Sequence, residues 1–173
     1  MLKYRKKESG YMKKQQIYDY LKELGIWFEI TEHGAVYHME DLANLHLPYP
    51  QADAKNIFVR DDKKQNFYLI TVKGSKRVNL KDFRKTYGTR PLSFASAEEL
   101  MSYMKLLPGA VTPFGVLNDT SCRVQCFIDQ EFLEGEGLIG VHPNDNTATV
   151  WLKTEDLAQI IQKHGNKVSI IPL

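Results

Sequence analysis

Only two cysteines, Cys122 and Cys126, occur among the 173 residues. Their C-x3-C spacing has no second pair to complete a four-ligand zinc site or a disulfide framework. Positions four apart on a strand share a face, so both are read as buried free thiols. The C-x-x-C pattern of a dithiol redox site is missing. No stretch approaches the roughly 18 consecutive apolar residues of a membrane-spanning helix. The charged start (Lys3, Arg5, Lys6, Lys7) leads into no apolar signal segment, so the expectation is a cytoplasmic protein with no membrane partner. With 11 glycines and 7 prolines the chain is neither collagen-like nor low in complexity. It holds no G-x-x-x-x-G-K-[ST], G-x-G-x-x-G, H-E-x-x-H or G-x-S-x-G. His33, His38 and His46 stand without the cysteines or carboxylates of a metal site. These absences argue against an NTPase, a nucleotide-cofactor enzyme and a metallohydrolase, and no cofactor or metal is expected.

What is present is an ordinary globular composition, 43% hydrophobic and 25% charged, with an uneven charge layout. The net charge of +2 conceals +5 over residues 1–14 and +6 over residues 73–90. Lys73, Lys76, Arg77 and Lys81 lie in the second segment. Two basic segments on a near-neutral chain suit a polyanion that touches part of the surface. A frayed tail and a solvated helix would look the same. Aromatic residues near the second segment are few (Phe83 and Tyr87), which weakens the case for a base-stacking platform.

Residues 1–11 are read as a basic leader and residues 12–173 as a single domain. Ile17, Tyr20, Leu21 and Leu24 repeat at helical spacing, and Gly25 fits the cap. Strands are expected at 26–30, 55–60, 66–72, 123–129, 138–142, 147–152 and 168–171. Helices are expected at 38–47, 80–86, 97–106 and 154–164, with Asn79, Ser96 and Thr154 as N-terminal caps. Interleaved strands and helices with hairpins indicate an α/β domain, a mixed β-sheet flanked by helices.

Three segments are locally unusual. Lys55 opens an apolar strand beside Asn56, straight after a proline-rich turn, and a lysine at a strand mouth can hold a phosphate or a developing oxyanion. Alone it reads as well as a snorkelling surface lysine. Residues 108–115 (PGAVTPFG) form a stiff loop, with Gly109, Val111, Thr112, Pro113, Phe114 and Gly115 able to expose backbone N–H groups to a substrate oxygen. A plain surface connection is the other reading. His142 ends a strand in G-V-H-P-N-D-N-T-A-T, before a turn containing Asn146, and suits an acid/base, a hydrogen-bonding or a steric role.

In order, K-N-I-F, P-G-A-V-T-P-F-G-V-L-N-D and G-V-H-P-N-D-N-T-A-T resemble the YbaK/prolyl-tRNA synthetase editing-domain family, over about residues 15–173. Within it the chain looks most like the free-standing deacylases of alanine mischarged onto proline tRNA. The resemblance implies a mixed-sheet α/β fold, no metal, no covalent intermediate and a tRNA rather than a DNA partner. It leaves association with prolyl-tRNA synthetase open. It matches Lys55 to the family's functional lysine, Gly109 and Pro113 to the ends of its G-x-x-x-P loop and His142 to its G-x-H-P histidine. Asp129 has a looser match to an acidic residue between these motifs. The expected reaction is attack of water on the aminoacyl ester, with Lys55, Gly109 and His142 as the central residues. Lys73, Lys76, Arg77 and Lys81 become candidates for acceptor-stem phosphates. Two alternatives stay open: a deacylase for cysteine or another small acyl group, and a non-catalytic nucleic-acid-binding or synthetase-associated module.

Overall fold

The structure, a computed structural model, describes residues 10–42 and 45–173. The expected leader lies outside the described residues apart from Gly10 and Tyr11. Eight strands and five α-helices follow in the order α1 (Lys14–Glu23), β1 (Phe28–Glu32), α2 (Met39–Leu42), β2 (Ala54–Asp61), β3 (Phe67–Lys73), α3 (Leu80–Tyr87), β4 (Leu92–Phe94), α4 (Ala97–Met104), β5 (Val124–Asp129), β6 (Leu138–Val141), β7 (Ala148–Lys153), α5 (Thr154–His164) and β8 (Val168–Ile171). Short 3-10 turns occupy Pro50–Ala52, Pro113–Asn118 and Gln130–Leu133. The α/β class stands as read from sequence. The strands divide, however, into two sheets: a mixed one of order β4-β2-β3-β5-β8 and an antiparallel one of order β1-β7-β6. The three-residue β4 and the three 3-10 turns carry too little periodicity to be seen in the sequence.

The central strand β3 (FYLITVK) shows why the larger sheet is buried on both faces. Phe67 and Leu69 enter a core with Ile17 and Leu21 of α1, Leu100 and Met104 of α4, and Leu157 and Ile161 of α5. Ile70 and Val72 enter a second cluster with Val59, Phe83 of α3 and Phe127. A near-continuous apolar strand is what a sheet covered on both faces requires. Ile139, Val141, Val150 and Leu152 of the smaller sheet join the first core, so one apolar body binds both sheets.

Helix ends follow local chemistry. Asn79 accepts hydrogen bonds from the N–H groups of Lys81 and Asp82, and Gly88 at φ 68° closes α3. Ser96 and Glu99 form a capping box on α4. Two polar residues of the long motif are structural clamps. Asn118, 3% exposed, accepts from the N–H of Met12 at 2.7 Å and donates to the carbonyls of Met12 and Met104. Asp119 accepts from the N–H of Val124 and from Asn166 at 2.8 and 2.9 Å. The N-D pair therefore ties the start of α1, the end of α4 and the first residue of β5 together.

The two sheets meet at a parallel bridge between Asp53 and Gly140. Gly140 pairs across β7 with Trp151, and a Cβ at Gly140 would stand 2.2 Å from the Trp151 ring. Trp151 is fully buried, donates its indole N–H to Thr31 Oγ1 and meets Tyr49 edge-on. The glycine of G-x-H-P is thus required by an indole lying flat across the strand.

Candidate functional site

At this seam lies a cleft of about 220 Å³. One wall is the mouth of β2, with Asp53, Ala54, Lys55 and Asn56. The others are Gly109 and Val111, the end of β6 with Gly140 and Val141, His142 just beyond it, Thr149 of β7, and residues 36–38. Three segments separated by some 90 residues in sequence converge here, because the sheet seam joins β2 to β6 and the 108–113 loop is tied to His142. That tie is a 2.6 Å hydrogen bond from Thr112 Oγ1 to the His142 carbonyl.

The Lys55 ammonium is half-buried and donates to the Lys76 carbonyl at 3.0 Å. It forms no ion pair among the described residues, so its charge is not neutralised. Asn56 accepts from Thr71 Oγ1 at 2.6 Å, which leaves its amide NH2 available to the cleft. Gly109 has φ +89° and lies under the Tyr37 ring, where a Cβ would come within 3.1 Å of Tyr37 Cδ1. Both the left-handed backbone and the space favour glycine. Among the described residues the N–H groups of Gly109 and Val111 have no hydrogen-bond partner, whereas that of Ala110 is held by the Leu107 carbonyl. Both residues line the cleft, and two unpaired backbone donors are what an oxyanion site needs.

His142 is fixed by a 2.8 Å contact between its Nδ1 and the Ala148 carbonyl. A carbonyl only accepts, so Nδ1 carries the proton and Nε2 is a bare acceptor in the neutral ring. Burial holds its pKa below the ordinary histidine value, and His33 adds to this, while the Ala148 and Asp145 contacts oppose it. His142 is therefore a neutral imidazole at neutral pH. His33 stands edge-on to it, ring centroids 6.1 Å apart, and contacts Thr149 Oγ1.

Asp53 shares the strand face of Lys55 two residues on. It is 9% exposed. Burial pushes its carboxyl up to about 7, with the Ala54 N–H opposing. Sequence reasoning missed this residue. The available signal was an acid two positions before the strand-mouth lysine. Residues 36–38 were missed too, since nothing local marks them. Asn146 holds them, through its Nδ2 to the Val36 carbonyl and its own carbonyl to the Val36 N–H.

The other expected residues are placed differently. Thr112, Pro113, Phe114 and Gly115 are buried and shape the loop from behind. Asn146 positions the 36–38 segment and lies outside the lining. Asp129 is also outside the cleft: buried, it accepts from the Glu131 N–H and pairs with Lys76 at 2.7 Å. Lys76 pairs with Glu131 as well at 2.7 Å, so its charge is spent within the fold and it is no free contact for phosphate. Lys73 is half-buried with its ammonium 5.6 Å from the Phe132 ring centre, while Arg77 and Lys81 are exposed. Among the described residues no cluster of three or more His, Cys, Asp and Glu side chains could hold a metal ion.

A cation, two backbone N–H groups without partners and a neutral imidazole thus border one cleft, a set able to take an activated carbonyl that carries an anionic group. The family comparison is specific. Residues 33–160 match the aminoacyl-tRNA editing domain. The prolyl-tRNA editing protein ProX of Acetoanaerobium sticklandii is 39% identical over 160 residues, covering 92% of this chain and 97% of that protein. The mouse prolyl-tRNA synthetase associated domain-containing protein 1 is 32% identical, covering 87% of this chain and 90% of its own. A solved structure described as a candidate trans-editing enzyme for prolyl-tRNA synthetase shares the fold, with a TM-score of 0.67 at 19% identity over 92% of this chain and 96% of its own. The chain belongs to the aminoacyl-tRNA editing-domain family, and it is an aminoacyl-tRNA deacylase whose substrate is a charged tRNA. No described helix is long and apolar enough to cross a membrane.

Proposed function

We propose that this protein edits mischarged proline tRNA in trans, releasing alanine from Ala-tRNA(Pro). The carrying observation is the convergence of Lys55, the free N–H groups of Gly109 and Val111, and neutral His142 on one small cleft. An aminoacyl ester is already activated, so no protein nucleophile is needed. Water forms a bond to the ester carbon, and the bond from that carbon to the ribose oxygen breaks. One proton of the water ends on that oxygen, by way of the neighbouring ribose hydroxyl. The Gly109 and Val111 N–H groups receive the developing oxyanion, at about 3 kcal/mol per donor. Lys55 anchors the phosphate of the terminal nucleotide. His142 closes the acyl end as a wall with an acceptor atom, and a volume of about 220 Å³ suits a small side chain. Rejection of proline then rests on a clash, since small-pocket affinity alone discriminates by only about 1–3 kcal/mol per methylene.

Arg77 and Lys81 are the proposed contacts for acceptor-stem phosphate, with Lys73 a lesser one. This is supported by the Lys55 to Lys76 carbonyl contact, which brings the 73–78 turn to the cleft rim. Prolyl-tRNA synthetase is a proposed source of the mischarged tRNA, and a cytoplasmic setting fits that supply. The test is amino-acid release from Ala-, Cys-, Ser- and Pro-tRNA(Pro) with chelator present. Selective alanine release is expected, with a loss of about ten- to hundredfold in Lys55→Ala. Release of cysteine instead overturns the acyl assignment, and release of none overturns the reading.

A further inference from the structure

The cleft holds a titratable group that the proposed reaction does not use. Asp53 is nine-tenths buried, lines the cavity and enters no ion pair among the described residues. The nearest cation along its strand face, Lys55, gives its hydrogen bond to the Lys76 carbonyl instead. The Asp53 main chain is occupied, its carbonyl accepting from the Gly74 N–H at 2.9 Å and its backbone bridged to Gly140. The backbone is therefore held at the sheet seam beside Gly140, which lies two residues before His142 in sequence. A buried carboxylate without a cation is unfavourable on stability grounds. Among the described residues only the Ala54 N–H offsets it, and no cation does.

An aminoacyl ester supplies the missing charge. Its α-amino group titrates near the usual α-amino value of about 7.7–8.0 and carries a positive charge over much of the neutral range. Its ribose is joined to a phosphate on the far side of the ester. The substrate thus has a cation at one end and an anion at the other. The mouth of β2 presents the complement, Asp53 and Lys55 on one face of a single strand. His142 Nε2, a bare acceptor, suits a second N–H of the same ammonium.

We propose that Asp53 binds the α-ammonium of the aminoacyl group and so makes the enzyme selective for esters with a free α-amino group. The inference rests on the deacylase reading above and adds the recognition element for the reacting end. An ammonium within about 4–6 Å also favours the ionised carboxylate, so substrate binding completes the pair that the empty cleft lacks.

The experiment compares alanyl-tRNA(Pro) with lactyl-tRNA(Pro), made from it by deamination, in which a hydroxyl replaces the ammonium at nearly the same size. Each enzymatic rate is divided by the spontaneous hydrolysis rate of the same ester, which removes the difference in intrinsic reactivity. The wild type is expected to prefer the alanyl ester by about ten- to hundredfold, the range for a hydrogen bond to a charged group. Asp53→Asn is expected to lose that preference by the same factor in kcat/KM, with its lactyl rate within about twofold of wild type. An equal loss on both esters overturns the proposal and moves Asp53 to the chemical step. An unchanged preference in Asp53→Asn overturns it as well. A wild type that hydrolyses lactyl- as fast as alanyl-tRNA refutes ammonium recognition while leaving the deacylase reading intact. A wild type inert on every ester refutes both. Should Asp53→Asn fold poorly, Asp53→Ser provides the same comparison.

Discussion

Replacing Asp53 by asparagine should stabilise the protein above neutral pH and leave it unchanged only below about pH 4. In the folded chain the carboxyl titrates at about 7, against 3.8 when solvated, because burial disfavours its charge. The folded state thus holds its proton more tightly than the unfolded one. Below about pH 4 both states are protonated and Asp53 is neutral to stability. As pH rises from about 4 to about 7 the unfolded carboxyl is already ionised while the folded one must be forced to ionise. Stability falls through that window and is flat above it. A shift of this size corresponds to at most about 4 kcal/mol. The cleft opens to water, so roughly half, about 2 kcal/mol, is the working expectation. In a domain of this length that is a rise in Tm of about 4–8 °C for Asp53→Asn at pH 8.

The amide keeps the size of the carboxyl and can still accept from the Ala54 N–H, so the comparison isolates charge. The assay is thermal or urea denaturation of both proteins at pH 4.5, 6 and 8, followed by circular dichroism. The difference in Tm should already be about a quarter of its full value at pH 4.5, where the unfolded carboxyl is mostly ionised, and reach that full value by about pH 7.5. A constant difference across the range, or a variant less stable than wild type at pH 8, would refute the argument. Adding a small alkylammonium at high concentration should narrow the gap at pH 8, since it binds only the folded wild type.

Gly109→Ala should reduce deacylation by at least tenfold with a stability loss of about 1 kcal/mol or more, because the residue sits at φ +89° and its new Cβ presses on Tyr37; kcat/KM and a melting curve check both. Nitrogen NMR of the imidazoles should give His142 a midpoint below 6.5 and a proton on Nδ1, and an Nε2-protonated ring would exclude its acceptor role. His142→Ala should relax alanine-over-proline discrimination in competition assays by tenfold or more. Charge reversal at Arg77 and Lys81 should weaken tRNA binding and reduce the slope of log affinity on log salt by about 1–2. Reversal at Lys76 should instead act mainly on stability, since it breaks a pair with buried Asp129.

How much was legible depends on the range of the physics involved. Strongly periodic elements read out well: α5 (Thr154–His164) and β8 (Val168–Ile171) fall at the residues expected, because the first-turn acids Glu155 and Asp156 and Gly165 mark the helix locally. The expected cap differs: Lys153 holds the cap position without a side-chain bond, and Thr154 turns its hydroxyl to the Phe132 and Gly137 carbonyls, which sequence spacing does not show. Lys55, Gly109 and His142 could be picked out as locally odd, since a lysine at a strand mouth and paired glycine and proline need a reason. Their meeting in one cleft could not be read, because it depends on the seam between sheets and on the Thr112 bond to the His142 carbonyl. Charge counting misled at Lys76 for the same reason. Its partners Asp129 and Glu131 are more than fifty positions away in sequence. The division of strands into two sheets was equally invisible, as strand patterns report burial and not the neighbour.

Asp53 and His142 show one piece of backbone serving two opposite ends. The bridge between Asp53 and Gly140 draws β2 against β6, and the indole of Trp151 lying over Gly140 permits that approach. The same closeness buries both titratable groups, raising the carboxyl and lowering the imidazole. Each is thereby poised toward its uncharged form at neutral pH when the cleft is empty. A substrate ammonium reverses the first effect and leaves the second: it draws Asp53 toward the carboxylate and does nothing to charge the imidazole. On this reasoning Gly140→Ala should damage both functions together. Pushing Trp151 off the strand would open the seam, return both pKa values toward their ordinary ranges and lower stability by about 2–4 kcal/mol, as overpacking and a displaced core aromatic combine. The decisive readout is the His142 titration: a midpoint that rises in Gly140→Ala ties the imidazole to the seam, and one that stays in place would assign its depression to the Val141 to Ala148 hairpin alone.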